Sequence, residues 1–416
     1  MRRRIKLYWS NEYVQGGVLL TFSSFLINVF NYIFNFFAAR VLGPSGYGEL
    51  TAFYSYIALF SVPMVVFSNI IIQRVNSHPS NPYVYANSVA DQFKHLLFRL
   101  LPIIVLSLLG VPLISRITNL STVVSYLLIP SIVLSLISSL YVSIYQGLKL
   151  FFLFSLISLV SVVCKLASIA IPIYKWGGLS EVLIFQFFAN MSALIFSYIL
   201  LSRLLREYTH RNTSPTAAKL YRFFTGRQFI ITMLSVLSFA MLGNVDVIFV
   251  KKYYSPGETG IYSSWALFAK IILYIVAPLA QISFVFFSGN SKKYLQDRVL
   301  MTTLGILVFV GIVGYAGYMY LGTFFIISLF GSTFFAVVPY LGLAAVFGMC
   351  YAAISFLNAY FLAKKSPHAL ILAVLLPVYI ISLIFLPKTL VYLMWTNIIF
   401  SFFVALSYFS AFFFFK

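Results

Sequence analysis

Residues 299–363 hold no charged side chain over 65 consecutive positions. That is far more than one helix needs to cross a bilayer, so the run must turn, and its turn must be short and nearly uncharged. "FGSTFF" at 330–335 is where Gly and Ser interrupt the apolar pattern. Similar runs recur along the chain. Cutting them at charges and at Gly/Pro/Asn/Ser clusters gives twelve spans: 14–40, 50–72, 95–116, 120–147, 151–173, 180–203, 228–250, 260–287, 299–321, 335–363, 367–386 and 389–415. Composition agrees, because with 62% hydrophobic and 9% charged residues and a mean hydropathy of +0.98, 416 residues cannot cover a soluble surface. The start "MRRRIK" looks like a signal n-region. The apolar segment after it is too long for an h-region and lacks an A-x-A site, so it reads as mature structure. Pro63, Pro102, Pro130, Pro278 and Pro339 fall inside spans and are expected to bend them. Cys164 and Cys350 lie in apolar segments and read as packing residues.

Basic residues set the orientation. Of 28 Lys and Arg, twenty fall at the termini and in the even-numbered loops, six near the odd-numbered loops, and Lys165 and Lys270 within spans. Positive residues stay cytoplasmic, so both termini are expected inside. The net charge of +20 is then topology signal and contact with anionic headgroups, and calls for no nucleic acid.

The chain repeats one plan. "ARVLGPSGYGELTAFYSY" at 39–56 has a partner in "VKKYYSPGETGIYSSWAL" at 250–267. Each has a cation ending a helix, a Pro–Gly turn, a Gly and an aromatic-rich helix; Pro44 answers Pro256 and Gly48 answers Gly260. "YQGLKLF" (145–151) is echoed by "YFLAKKS" (360–366). The offset of 212–216 residues gives six helices per half, and an even number makes the repeats parallel. The expected fold is all-α and membrane-integral: a six-helix lobe over 1–203, a basic cytoplasmic linker over 204–227, and a second six-helix lobe over 228–416. Two such lobes with a cleft between them are transporter architecture.

Polar residues inside the spans mark what lines that cleft. In the first span Thr21, Ser24, Asn28, Asn31 and Asn35 step by 3, 4, 3 and 4, which sets them on one helix face. Either they hydrogen-bond to neighbouring helices or they wall an aqueous cavity. Ser131, Ser135, Ser139, Ser143 and Gln146 repeat the pattern in the fourth span, where small-residue packing explains it as well. A charged group near the bilayer centre costs about 2.5–3.5 kcal/mol. Lys270 lies well inside its span, Lys165 about two turns from either end of its own, and Arg40 closes the first. Arg40 either snorkels to headgroups or faces the cavity. Asp246 either pairs with Lys251, Lys252 or Lys270, or takes part in ion coupling. Three cations and one acid make the cavity positive on balance, suited to an anion such as the phosphate of a lipid carrier.

"ARVLGPSGYGEL", "QRVNSH" after the second span, "YQGLK" and "GNVDVIFVKKYYSPGETGIYSSW" together resemble the Wzx-type polysaccharide (O-antigen or capsule) flippases of the MOP exporter superfamily, which also holds MATE antiporters and the lipid II flippase. The resemblance runs from about residue 14 to the last span. It implies export of an undecaprenyl-diphosphate-linked oligosaccharide across the bacterial inner membrane by alternating access. It further implies coupling to an inward proton or sodium gradient and no other cofactor, with contact to other polysaccharide-assembly proteins. It carries over Arg40 as a cavity cation and Asp246 in ion coupling. Lys165, Lys270, Asn28, Asn31 and Asn35 are assigned to the cavity from depth and spacing alone.

Two other classes compete. A MATE-type drug antiporter would favour acids in the cavity. A membrane enzyme of polysaccharide assembly would need a catalytic cluster, and the sequence shows no paired carboxylates at catalytic spacing, no metal-ligand set and no phosphate-binding loop, with His78, His95, His210 and His368 scattered at loops and span ends. The chain is therefore read as a transporter with no catalytic or metal residues.

Overall fold

The computed structural model describes residues 12–77, 82–209, 226–288, 293–385 and 387–414. The "MRRRIK" start and most of the 204–227 linker lie outside them, as do His78, His210 and the side chain of Thr21. No strand occurs among the described residues.

The apolar runs become helices. In chain order they are α1 (Glu12–Phe60), α2 (Val62–Ser77), α3 (Pro82–Leu109), α4 (Val111–Thr118), α5 (Thr122–Gly147), α6 (Phe151–Ala167), α7 (Ala170–Ile173) and α8 (Leu179–Thr209). Then come α9 (Arg227–Leu242), α10 (Val245–Tyr253), α11 (Pro256–Ser288), α12 (Lys293–Phe325), α13 (Leu341–Ala363), α14 (Ile371–Phe385) and α15 (Leu390–Phe414). Among the described residues, ten helices are long and apolar enough to cross a membrane, or eleven if α9 and α10, bent by 42°, count as one span. The chain is thus a multi-pass membrane protein.

Three departures from the twelve-span reading have local causes. First, α1 runs through the expected loop as two helical arms joined at Gly43, whose φ of 67° and ψ of 179° leave the helical region; Pro44 then opens the second arm, having no N–H to lose there. Second, the third span begins at Pro82 and not at 95. Asp91, Lys94, His95 and Arg99 are all exposed on it, so the charges sit on its outer face without ending the helix. Third, the 228–250 span is broken at Gly243–Asn244. The uncharged turn at 330–335 is confirmed, with Gly331 at φ 95° between a π turn (Ile326–Phe330) and a 3₁₀ segment (Ser332–Tyr340).

Helix ends follow their sequence chemistry. Ser255 and Glu258 form a capping box before α11: the Glu258 carboxylate accepts from the Ser255 N–H (3.0 Å), and the Ser255 Oγ accepts from the Glu258 N–H (3.3 Å). After α5 and α13 the chain closes with the same bond pattern. Leu150 N–H reaches the Tyr145 carbonyl and Ser366 N–H the Phe361 carbonyl, each a Schellman bond. The left-handed residue is lysine in both, Lys149 (φ 61°) and Lys365 (φ 53°), 216 positions apart.

By contact the chain forms two compact units, Met1–Val41 with Phe60–Phe224, and Leu42–Leu59 with Thr225–Lys416. The lobe boundaries read from sequence give 42–59 to the first lobe, whereas its contacts place it in the second unit. The first unit is centred on Ile71, Val75, Ala86, Val89, Leu140, Ile144, Tyr145 and Leu201, drawn from α2, α3, α5 and α8. Tyr145 donates to the Ser197 carbonyl at 2.8 Å. Burying its hydroxyl without that bond would be costly. The second unit is built on α11 against α13, where Gly348 lets the helix backbones approach so closely that a Cβ would strike the Ala269 carbonyl. Trp265, Phe347, Tyr351 and Phe239 form a stacked column, with centroid separations of 5.4, 5.8 and 4.7 Å.

Candidate functional site: buried charges and amides within the helices

In the first unit α1 and α6 bring two of the expected residues together. Lys165 Nζ donates to Asn31 Oδ1 at 3.0 Å and lies 4.6 Å from the centroid of Phe34. The ring face attracts the ammonium, and the amide gives it a neutral acceptor. Asn31 and Asn35 turn their own N–H donors to the Ile27 and Asn31 carbonyls, at 3.0 and 2.7 Å. The amides are thereby held with Asn31 Oδ1 toward Lys165. The polar seam continues along α6: Ser161 donates to Asn190 (2.8 Å), Gln186 donates to Ser168 (2.8 Å), and Ser23 and Ser155 share a bond of 2.9 Å. Asn28 and Ser24 are exposed on α1, so the five-residue stripe divides: Asn31 bonds Lys165 of α6, whereas Asn28 and Ser24 face outward. Arg40 is exposed at the end of the first arm of α1. In α5, Ser135 bonds Ser61 across to the neighbouring helix at 2.8 Å, the packing alternative for that stripe.

In the second unit the break between α9 and α10 sets Asp246 in the first turn of α10, where it is 1% exposed. Its Oδ1 accepts the Val247 N–H at 2.8 Å, and its Oδ2 accepts the Tyr262 hydroxyl and, at 3.4 Å, the Asn397 amide. Asn397 also donates to the Tyr262 oxygen, and its Oδ1 accepts the Tyr379 hydroxyl at 2.7 Å. Lys270 adds electrostatic attraction to Asp246. Lys251 turns to Glu49 instead, at 3.8 Å, with the two side chains 7% and 16% exposed.

Sequence reasoning missed Tyr262, Tyr379, Asn397 and Glu49. The signal for Asn397 was present: it is a lone amide within an uncharged span. Outside the spans, Tyr254 has its phenol pushed up by burial and by the Glu258 carboxylate.

The second arm of α1 meets the start of α11. A Cβ on Gly48 would lie 2.7 Å from the Gly260 nitrogen, and Thr51 donates to Ser263 at 2.6 Å. Tyr47 packs edge-on to Phe330 and Phe334 beside them.

No curated protein matches the sequence. Solved structures do. The lipid II flippase MurJ in an inward closed conformation matches with a TM-score of 0.70 at 18% identity, covering 94% of this chain and 86% of that one. A multidrug resistance MATE family transporter of the MOP superfamily, inward-facing, gives 0.65 at 14%, covering 92% and 93%. A MOP superfamily transporter from Pyrococcus furiosus, described by a binding pocket of reverse polarity, gives 0.59 at 12%, covering 95% and 94%. These likenesses establish a MOP-transporter fold. The family described as polysaccharide biosynthesis protein matches residues 13–290, about two thirds of the sequence, and the chain belongs to that family.

Proposed function

We propose that this protein is a Wzx-type flippase that carries an undecaprenyl-diphosphate-linked oligosaccharide from the cytoplasmic to the outer leaflet of a bacterial inner membrane. The observation that carries the reading is Lys165, an ammonium within a membrane helix held by a neutral amide and an aromatic face. An ammonium so placed is a charge-assisted donor suited to phosphate oxygens. Lys270 supplies a second cation and Arg40 a third at the helix end. Membership of a polysaccharide-biosynthesis family supports a saccharide cargo, and the MurJ-like fold supports a lipid-linked one.

In this reading both termini are cytoplasmic and the two arms of α1 count separately. The two lobes, 1–203 and 228–416, rock about the cleft, while the lipid tail stays in the bilayer and the headgroup passes through. The proton or sodium gradient drives the cycle, and neighbouring polysaccharide-assembly proteins supply and consume the cargo. Replacing Lys165 and Lys270 with alanine tests the assignment. Export of the lipid-linked saccharide should collapse at unchanged protein level. Full surface polysaccharide in that double variant would reject it, and altered drug susceptibility in its place would favour a MATE-type antiporter.

A further inference from the structure

Asn190 is an amide whose donors the fold leaves unused. It lies within the membrane-length part of α8, on the inward face. Gln186 and Ser197 are buried on that same face, whereas Phe188, Ile195 and Ile199 are exposed on the opposite one. The Ser161 hydroxyl donates to Asn190 Oδ1 at 2.8 Å, which fixes the amide with its nitrogen turned away from Ser161. Among the described residues that nitrogen donates to nothing. Nor is it sealed in the core, as the Ser125, Ser197 and Ser401 hydroxyls are. Two N–H groups on the inward side of a membrane helix must face water or a polar ligand, since hydrocarbon would leave both bonds unmade.

Lys165 lies beside it. Ser161 and Lys165 are one turn apart on the same face of α6, about 6 Å along its axis. A second tie from α8 brackets the lysine on its other side. Gln186 donates to the Ser168 hydroxyl at 2.8 Å, and that hydroxyl donates to the Lys165 carbonyl at 2.6 Å. The two ties hold α8 along α6 to either side of Lys165, so the amide and the ammonium keep their spacing. From α1, Asn31 and Phe34 hold the ammonium itself. Both amide oxygens are engaged, that of Asn190 by Ser161 and that of Asn31 by Lys165. What the seam offers a ligand is therefore a cation and a pair of neutral N–H donors, one helical turn apart.

We propose that Asn190 is a specificity residue for a diphosphate: one phosphate meets the Lys165 ammonium and the other accepts the Asn190 N–H groups. This rests on the flippase reading and narrows what its cavity recognises. A single phosphate satisfies one of two donors so spaced. A diphosphate carries oxygens on both phosphorus atoms and reaches both. Its first contact is a charge-assisted bond, and its second comes from an amide that adds no further charge to be desolvated.

The experiment uses the full chain in nanodiscs, with undecaprenyl diphosphate and undecaprenyl phosphate, both free of sugar, as probes. Binding is titrated and read from the rise in Tm that a ligand of the folded state produces. The native protein should bind the diphosphate roughly ten- to a hundredfold more tightly, the worth of one more hydrogen bond to a charged group. Asn190→Leu should abolish that preference and leave the Kd for the monophosphate unchanged, whereas Lys165→Met should weaken both. Asn190→Asp keeps the Ser161 bond and presents oxygen in place of the N–H groups, so it should bind the diphosphate less tightly than the monophosphate. Inorganic diphosphate separates the group from its lipid: it should show the same dependence on Asn190 at lower affinity, and binding as tight as the lipid's would overturn the lipid-linked source. Equal binding of the two lipids by the native protein, or an Asn190→Leu variant that keeps the preference or loses both lipids alike, overturns the proposal and leaves the flippase reading standing. Binding of neither lipid rejects the flippase reading itself, and the proposal with it.

Discussion

Gly48 and Gly260 face each other backbone to backbone, and the repeat that relates the two halves of the chain also relates these two glycines, 212 residues apart. Thr51 and Ser263 have the same separation and are hydrogen-bonded. Residues equivalent by repeat and touching in space mark a local two-fold axis between the second arm of α1 and the start of α11. We propose that, with 1–203 moving as one lobe in the transport cycle, this contact acts as a closure that opens and re-forms.

Alanine at either glycine tests that closure. A Cβ at Gly48 would press on the Gly260 nitrogen and one at Gly260 on the Pro44 carbonyl, neither of which can rotate away. Overpacking of this kind costs about 1–3 kcal/mol. Gly260→Ala should insert normally, melt earlier, and export far less polysaccharide. Normal export and an unchanged melting curve would show that the contact is incidental.

Glu49 and Lys251 cross the same contact as an ion pair largely removed from water. Removing one member takes the ion-pair partner from a largely buried charge, at a cost of about 3–5 kcal/mol. Glu49→Gln and Lys251→Met should each lose stability on that scale. Glu49→Gln with Lys251→Met should recover most of it, measured by thermal melting in detergent.

Asn31 holds Lys165 through one charge-assisted bond, worth about 1.5–3 kcal/mol. Asn31→Ala should therefore slow export by roughly ten- to a hundredfold. Lys165→Arg should retain part of the activity that Lys165→Met loses. The readout is surface polysaccharide per copy of protein.

Lys365 sits in the left-handed region at a helix end, where a side chain costs about 1–2 kcal/mol that glycine does not. Lys365→Gly should raise the melting temperature. A fall would mean that the lysine side chain stabilises its surroundings by more than the strain it carries.

The duplicated corners were legible because Pro, Gly and a helix-ending cation repeat in order, and backbone demands of that kind show directly in sequence. The pairing of Asn31 with Lys165 was half legible. Helical spacing gave the face of α1 and depth singled out Lys165, yet nothing in the sequence says that these two helices touch. The shell around Asp246 was not legible. Tyr262, Tyr379 and Asn397 come from three separate helices, and in a chain with 29 tyrosines no single hydroxyl stands out. The break at Gly243–Asn244 was hidden for a related reason. A Gly–Asn pair inside an apolar run is compatible with a continuous helix, and only the structure shows the Asn244 side-chain amide taking up the Ala240 carbonyl while the Tyr351 hydroxyl reaches that of Phe239.

The grouping of Leu42–Leu59 with the second unit has a consequence for biogenesis. Glu49 leaves the ribosome 202 residues before Lys251, and at 5–20 residues per second that is a wait of roughly 10–40 s. During that interval the nascent chain carries a carboxylate with its eventual Lys251 partner not yet made. The arm can complete this contact only once α10 has been made, and a pause in translation anywhere between them would lengthen the wait.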